Sequence, residues 1–156
     1  MNIPEKNEID RASCGDVTSK HSIAPSVLVI HPSGQVDFVE ADVSVMSSQE
    51  MARLIDTFGV DAVHYSGPLA NITKACQLER QVTMYVDKYS AFKSLDDNAV
   101  ATTLYGQSDE VRGAVIIAME DDKYDTYSFD TKEDIERVFE AISKMTGGLA
   151  RSSHHE

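Results

Sequence analysis

Two uninterrupted apolar runs, Val27-Leu28-Val29-Ile30 and Ala114-Val115-Ile116-Ile117-Ala118-Met119, constrain this chain more than anything else in it. A β-strand turns successive side chains to opposite faces, so a strand with one wet face alternates apolar with polar residues. These runs do not alternate and are rich in β-branched residues. Both of their faces must therefore be covered, which places them near the centre of one sheet. A chain of 156 residues has room for one such core and not comfortably for two. A single domain is expected.

The signals around the two runs fill in the remaining elements. After Ile30, the turn residues Pro32-Ser33-Gly34 lead into Gln35–Glu40, a strand-like stretch that completes a hairpin. Ser47 followed by Glu50 matches a capping box, and Met51, Leu54, Ile55 and Phe58 recur at helical spacing before Gly59, predicting a helix near 48–58. Val60 to Tyr65 and Gln81 to Val86 read as strands, and the residues between, 69–80, as a loop or a short helix. Asp97 to Tyr105 is a short capped segment stopped by Gly106, and Tyr124 to Phe129 reads as an edge strand. Asp130 or Thr131 caps the last helix, whose apolar stripe is Ile135, Val138, Phe139, Ile142 and Met145, and Gly147-Gly148 ends it. The fold class is α+β: a mixed or antiparallel sheet of about five or six strands, covered on one face by two main helices. Residues 1–24 are polar and aperiodic and are expected to be a disordered arm, residues 25–148 the domain, and residues 149–156 a flexible tail.

Charge narrows the function classes. The chain carries 26 acids against 14 bases, a formal net charge of −12. The excess sits in two segments: six acids and one base over residues 37–61, and nine acids and three bases over residues 120–140. A duplex-binding face needs clustered Lys and Arg to release counterions, so direct nucleic-acid binding is disfavoured. No apolar run is long enough to span a membrane, and Met1 to Lys6 lacks the basic-then-apolar order of a signal peptide, so a soluble cytoplasmic protein is expected. Cys14 and Cys76 have neither metal spacing nor a second pair, and read as free thiols.

No glycine-rich phosphate loop, paired-histidine metal motif or nucleophile elbow occurs, so no catalytic residue, metal ligand or cofactor is assigned. His31 and His64 could share a metal, but a lone histidine at a strand end is more often a hydrogen-bonded surface residue. Glu120-Asp121-Asp122 follows the second apolar run directly, where active-site acids are often placed, yet it also has the composition of an exposed hairpin turn. Asp87, Asp96, Asp97 and Asn98 form an oxygen-rich group whose spacing fits no calcium loop, which favours helix capping. Several tyrosines fall at strand ends, where their large area and low rotamer entropy suit a contact surface. The candidate binding residues are Asp121, Asp122, Glu133, Glu136, Tyr85 and Tyr89.

Val29-Ile30-His31-Pro32-Ser33-Gly34, Gly59 before a strand, Met84-Tyr85-Val86-Asp87, Leu95 with Asn98, Ala101, Thr102, Leu104 and Gly106, and Val111-Arg112-Gly113 together carry a resemblance. Over residues 26–122 the chain resembles a family of small domains of unknown function found in phages, plasmids and the bacteria that carry them. Asp96-Asp97 departs from the proline-containing turn usual before the Asn. The resemblance implies an accessory protein of a mobile element, binding a host or phage protein partner and countering a host defence. It supplies no catalytic residues. The expected function is thus non-enzymatic partner binding through an acidic surface. The alternatives are a small-molecule or nucleotide binder and a metal-dependent enzyme built on clustered carboxylates near Asp87, Asp97 and His64.

Overall fold

A computed structural model describes residues 20–41, 44–64, 66–107 and 109–151. In chain order the elements are β1 (Ser22–Ile30), β2 (Gln35–Glu40), β3 (Val45–Met46), α1 (Ser48–Leu54), β4 (Val60–Val63), α2 (Gly67–Ala75), β5 (Gln81–Asp87), a 3₁₀ turn (Ser90–Phe92), α3 (Ala99–Tyr105), β6 (Val115–Glu120), β7 (Thr126–Tyr127), β8 (Phe129–Thr131), α4 (Lys132–Thr146) and β9 (Ala150–Arg151). The two apolar runs lie side by side at the centre, with Leu28 opposite Ile117 and Val29 opposite Ile116. The sheet runs β9-β2-β1-β6-β5-β4, with β8 alongside β1 and the short β3-β7 pair alongside β6. Its only parallel pairing among the described residues is β9 with β2, so the sheet is mixed and the fold is α+β.

Strand alternation divides the core in two. Leu28, Ile30, Met84, Val115 and Ile117 face α2, α3 and α4, which contribute Leu69 and Ile72, Ala101 and Leu104, and Ile135, Val138 and Ile142. The opposite side chains, Val27, Val29, Tyr85, Ile116 and Ala118, pack against Met51 of α1 and Met46 of β3. Helices therefore cover both faces, three on one and the short α1 on the other. The segment left open as loop or helix explains the heavier face, because it forms α2: Ser66 accepts from the Leu69 amide at 3.1 Å, and Pro68 sits in the first turn, where its missing N–H is harmless. The lighter face reflects an α1 shorter than its apolar spacing suggests. It ends at Leu54, Asp56 turns to φ 55, and Phe58 is 97% exposed instead of joining the core.

Both ends of the domain extend past the expected boundaries of 25 and 148. β1 begins at Ser22, which pairs with Thr131, and the register shifts before Ser26 pairs with Phe129. That irregularity accommodates Pro25, which has no N–H to offer a ladder. The His21 carbonyl accepts from the Lys132 amide at 2.8 Å, and Lys20 pairs with Asp134 at 2.9 Å. Residues 22–24 are thus part of the sheet, with Lys20 and His21 bonded to the start of α4; residues 1–19 of the expected arm lie outside the described residues. Likewise Ala150 and Arg151 of the expected tail add to β2, with the Arg151 guanidinium 3.7 Å above the Phe38 ring. Residues 152–156 lie outside the described residues. Among those described, no helix is long and apolar enough to cross a membrane. Cys76 is buried, and burial pushes its thiol up, as for an inert packing residue.

Glu133 clasps the start of β1. The His21 ring and then the His21 amide donate to its carboxylate and hold its pKa down to about 2, from an ordinary 4.5. An acid depressed by folding gives its full support above its ordinary value and loses it as pH falls through the folded one. A carboxyl NMR titration is expected to place the Glu133 midpoint near 2. Glu133→Gln should speed amide exchange over residues 21–24 and leave exchange in β6 unchanged.

Candidate functional site

The thinly covered face carries the polar chemistry. Along β4, Val60 and Ala62 point toward α1, and the same alternation carries His64, the residue after the strand, to that side. Along β6, Ile116 and Ala118 point the same way and so does Glu120, the last residue of a strand buried throughout. A carboxylate at the end of an apolar strand must find a partner, since an isolated buried charge is very costly. Glu120 finds His64: Nδ1 lies 2.8 Å and 3.0 Å from its two oxygens. The Glu120 side chain is 3% exposed and the His64 side chain 49% exposed, so the pair joins the core to the surface.

The carboxylate requires Nδ1 to be the protonated nitrogen, which leaves Nε2 without a hydrogen-bond partner among the described residues. The Tyr124 ring lies against the imidazole at a centroid distance of 4.5 Å and an angle of 50°. Below them, the Tyr85 hydroxyl is bonded to the Thr126 hydroxyl at 2.7 Å. Burial pushes the Tyr85 phenol up to about 12; the Thr126 bond opposes that rise and the Glu120 charge adds to it.

The loop after β6 supplies the rim. Asp121 accepts from the amides of Lys123 at 2.9 Å and Asp125 at 3.0 Å, and from the Tyr127 hydroxyl at 3.1 Å. These donors outweigh the desolvation of the carboxylate and hold it below its ordinary pKa. The turn they close puts Tyr124 at φ 67, an uncommon conformation for a tyrosine, and leaves its ring 64% exposed beside His64. Arg80 stacks 3.7 Å above the Tyr127 ring. Together Glu79, Arg80, Glu120, Asp121, Asp122 and Tyr124 line an open cavity of about 610 Å³.

A second buried carboxylate, Asp87, ends β5 at the opposite edge of the same face. It accepts from Thr57 Oγ1 at 2.6 Å, Lys93 Nζ at 2.7 Å and the Tyr89 amide at 2.8 Å. Burial alone would raise its pKa, but these three donors prevail and lower it. Its bonds all go to flanking loops, so Asp87 is a fastener for residues 56–58 and 89–93.

The structure separates most of the residues singled out from sequence. Asp121 and Asp122 meet at the cavity, Asp121 as the turn's acceptor and Asp122 exposed. Tyr85 is buried beneath it and is a packing residue, while Tyr89 lies at the far end of the sheet beside Gly59. Glu133 is held by His21, and Glu136 by Arg151 at 3.1 Å, both on α4 across the sheet. The acids of the 120–140 segment are therefore divided between the turn after β6 and α4 and do not form one surface. Asp87, Asp97 and His64 do not converge either: Asp87 pairs with Val60 at the start of β4, His64 follows its end, and Asp97 is bridged to Arg112. His31 pairs with Asp37 at 2.8 Å, beyond Ile30 and Val115, while His64 meets Glu120 at the other end of β6. Among the described residues, no three His, Cys, Asp or Glu side chains are placed to hold a metal ion. Sequence reasoning grouped Glu120 with the turn; the signal it passed over was Glu120 occupying the last buried register of the apolar run.

No protein-family model and no curated protein matches the chain. Among solved structures, the chain is similar to the small RNA methyltransferase HEN1, with a TM-score of 0.46 and 14% identity over 90% of this chain. It spans 20% of that protein's length, and the likeness bears on neither activity nor ligand.

Proposed function

We propose that this chain is a non-enzymatic binding module, a mobile-element accessory protein of the kind its sequence resemblance implies. In this reading it takes a basic segment of a host or phage protein at the cavity around Glu120. The observation that carries it is the cavity's make-up: a buried carboxylate at the floor, Glu79, Asp121 and Asp122 on the walls, and an exposed aromatic ring beside them. Acids attract a guanidinium or ammonium, and a tyrosine face adds cation–π attraction. The cavity's acids outnumber its one guanidinium, that of Arg80, which is stacked on Tyr127, and this balance speaks against phosphate and so against the nucleotide alternative. A histidine oriented by a carboxylate is also how general bases are set. Here Nε2 has no hydroxyl or thiol within bonding distance among the described residues, so there is no side-chain nucleophile for it to activate. The metal-dependent enzyme alternative has no ligand set among those residues.

Fluorescence anisotropy with a labelled oligo-arginine peptide tests the proposal, with oligo-glutamate as the control. The arginine peptide should bind and the glutamate peptide should not. Affinity should fall with added salt, since exposed charges are screened over about 8 Å at physiological ionic strength. Asp122→Asn combined with Glu79→Gln should weaken binding roughly fivefold to thirtyfold, the equivalent of about 1 to 2 kcal/mol. Indifference to both salt and the double substitution would leave the acidity a matter of solubility alone. A cavity of this size also falls in the range for small ligands. Free arginine amide competing as well as the peptide would identify a small cation as the occupant.

A further inference from the structure

β4 is the last strand of the sheet on its side, and among the described residues no other strand pairs with its outer edge. The phase of its hydrogen bonding can be read directly. The Lys88 amide donates to the Gly59 carbonyl at 3.0 Å, and continuing the antiparallel register makes Asp61 with Val86, and Val63 with Met84, the next bonded pairs. Alternation then turns the backbone N–H and C=O of Val60 and Ala62 outward, away from β5. Over β4 and its neighbour β5 lies a groove of about 510 Å³, lined by Asp61 and Val86 on the strands and by Tyr105, Asp109, Glu110 and Arg112. Arg112 is already paired with Asp97 at 3.1 Å and with Glu110 at 3.8 Å. The exposed Asp61 and Asp109 therefore leave the groove acidic.

From the outward backbone groups and this charge, we infer that β4 accepts an extended, basic segment of a partner protein as an added strand. Main-chain bonds to Val60 and Ala62 would hold the segment, and Asp61 and Asp109 would select its Lys or Arg side chains. The inference rests on the partner-binding reading above and gives the partner its form. The groove and the Glu120 cavity share one wall, His64, so a strand lying on β4 runs directly to the cavity. A second copy of this chain is a poor occupant. Edge-to-edge pairing would bring one Asp61 close to the other, and each chain carries a net charge of −12.

The probe is an alternating Lys-Val peptide about eight residues long, compared with the same peptide N-methylated at alternate backbone positions and with a Glu-Val peptide. The Lys-Val peptide should bind, should protect the Ala62 amide from hydrogen exchange, and should lose at least about tenfold in affinity on N-methylation. Ala62→Pro removes an outward N–H without breaking a bond to β5, since proline is tolerated on a strand edge. It should reduce binding to the same degree while thermal unfolding stays cooperative. Should that variant fold poorly, the N-methylated peptide makes the same test on the unaltered protein. Binding insensitive to N-methylation and to Ala62→Pro, yet weakened by Asp122→Asn with Glu79→Gln, overturns strand addition and leaves the cavity reading standing. Failure of the Lys-Val peptide to bind while the oligo-arginine peptide still binds overturns strand addition alone, and failure of both peptides overturns both readings. Concentration-dependent dimerisation that Ala62→Pro abolishes overturns the inference by making the occupant a second copy.

Discussion

Asn98→Ala is expected to destabilise the domain by about 3 to 5 kcal/mol. Asn98 is fully buried and uses both ends of its amide. Its Oδ1 accepts from the Ala101 N–H at 3.0 Å and so caps α3, and its Nδ2 donates to the Ile30 carbonyl at 3.1 Å and the Gly113 carbonyl at 2.8 Å. Loss of a cap costs about 1 kcal/mol, and each buried carbonyl stripped of its donor about 1 to 3 kcal/mol. Urea denaturation would show the loss as a lower midpoint with an unchanged slope. Asn98→Asp should not rescue it. An aspartate keeps the capping oxygen but cannot donate, and it aims a negative charge at two carbonyls.

That residue also shows how far the sequence could be read. Asn98 was legible as a helix cap, because capping is a local relation between a side chain and an amide three residues on. Its grip on Ile30 and Gly113 was not legible, because nothing local reports which distant carbonyls will meet it. The same division runs through the fold. The central strands, α1 and α4 were announced by unbroken apolar runs, a capping box and a helical stripe. Residues 22–24 and 150–151 were taken for ends because each segment is short and lacks periodicity, and they become strands only through partners far away in the chain. Two of the glycines singled out in the sequence have steric reasons. Gly113 sits at φ 82, where an added Cβ would meet Leu95 Cδ1 at 2.8 Å, and Gly106 sits at φ 73, with Pro68 Cδ at 2.9 Å. Both are thus packing and turn positions, and neither lines the candidate binding cavity.

The site was less legible than the fold for a related reason. Counting acids along the chain grouped Glu120 with Asp121 and Asp122, yet one residue separates a buried strand end from a turn, and the two environments do different work. Glu133 and Glu136 looked like free surface charge, and each is engaged by a cation or a ring from a chain terminus. Linear charge density cannot show such pairing. It reports how many acids exist, and the fold decides which of them are left for a partner.

Phe129→Ala should cost about 3 to 5 kcal/mol, and Phe139→Ala should cost clearly less. The apolar stripe of α4 makes Phe139 the aromatic one would choose from sequence. In the structure Phe139 is only partly buried, tilted at 58° against Phe38 with their centroids 5.5 Å apart, near the surface end of the core. Phe129 is fully buried, heads the largest enclosed side chains, and sits on β8 opposite Ser26, in the same cluster as Ile135, Val138 and Ile142 of α4. Truncating it leaves a phenyl-sized void between β1 and α4, where close-packed neighbours can relax only in part. Truncating Phe139 opens a space near the surface that water and a shift of the partly buried Phe38 ring can fill. Thermal unfolding of the two variants decides the ranking: for a chain of this length each kcal/mol moves the midpoint by about 2 to 4 °C, so Phe129→Ala should melt roughly 6 to 20 °C below the parent. A midpoint for Phe139→Ala at or below that of Phe129→Ala would place the anchor of the helix on its own stripe and not on the strand beneath it.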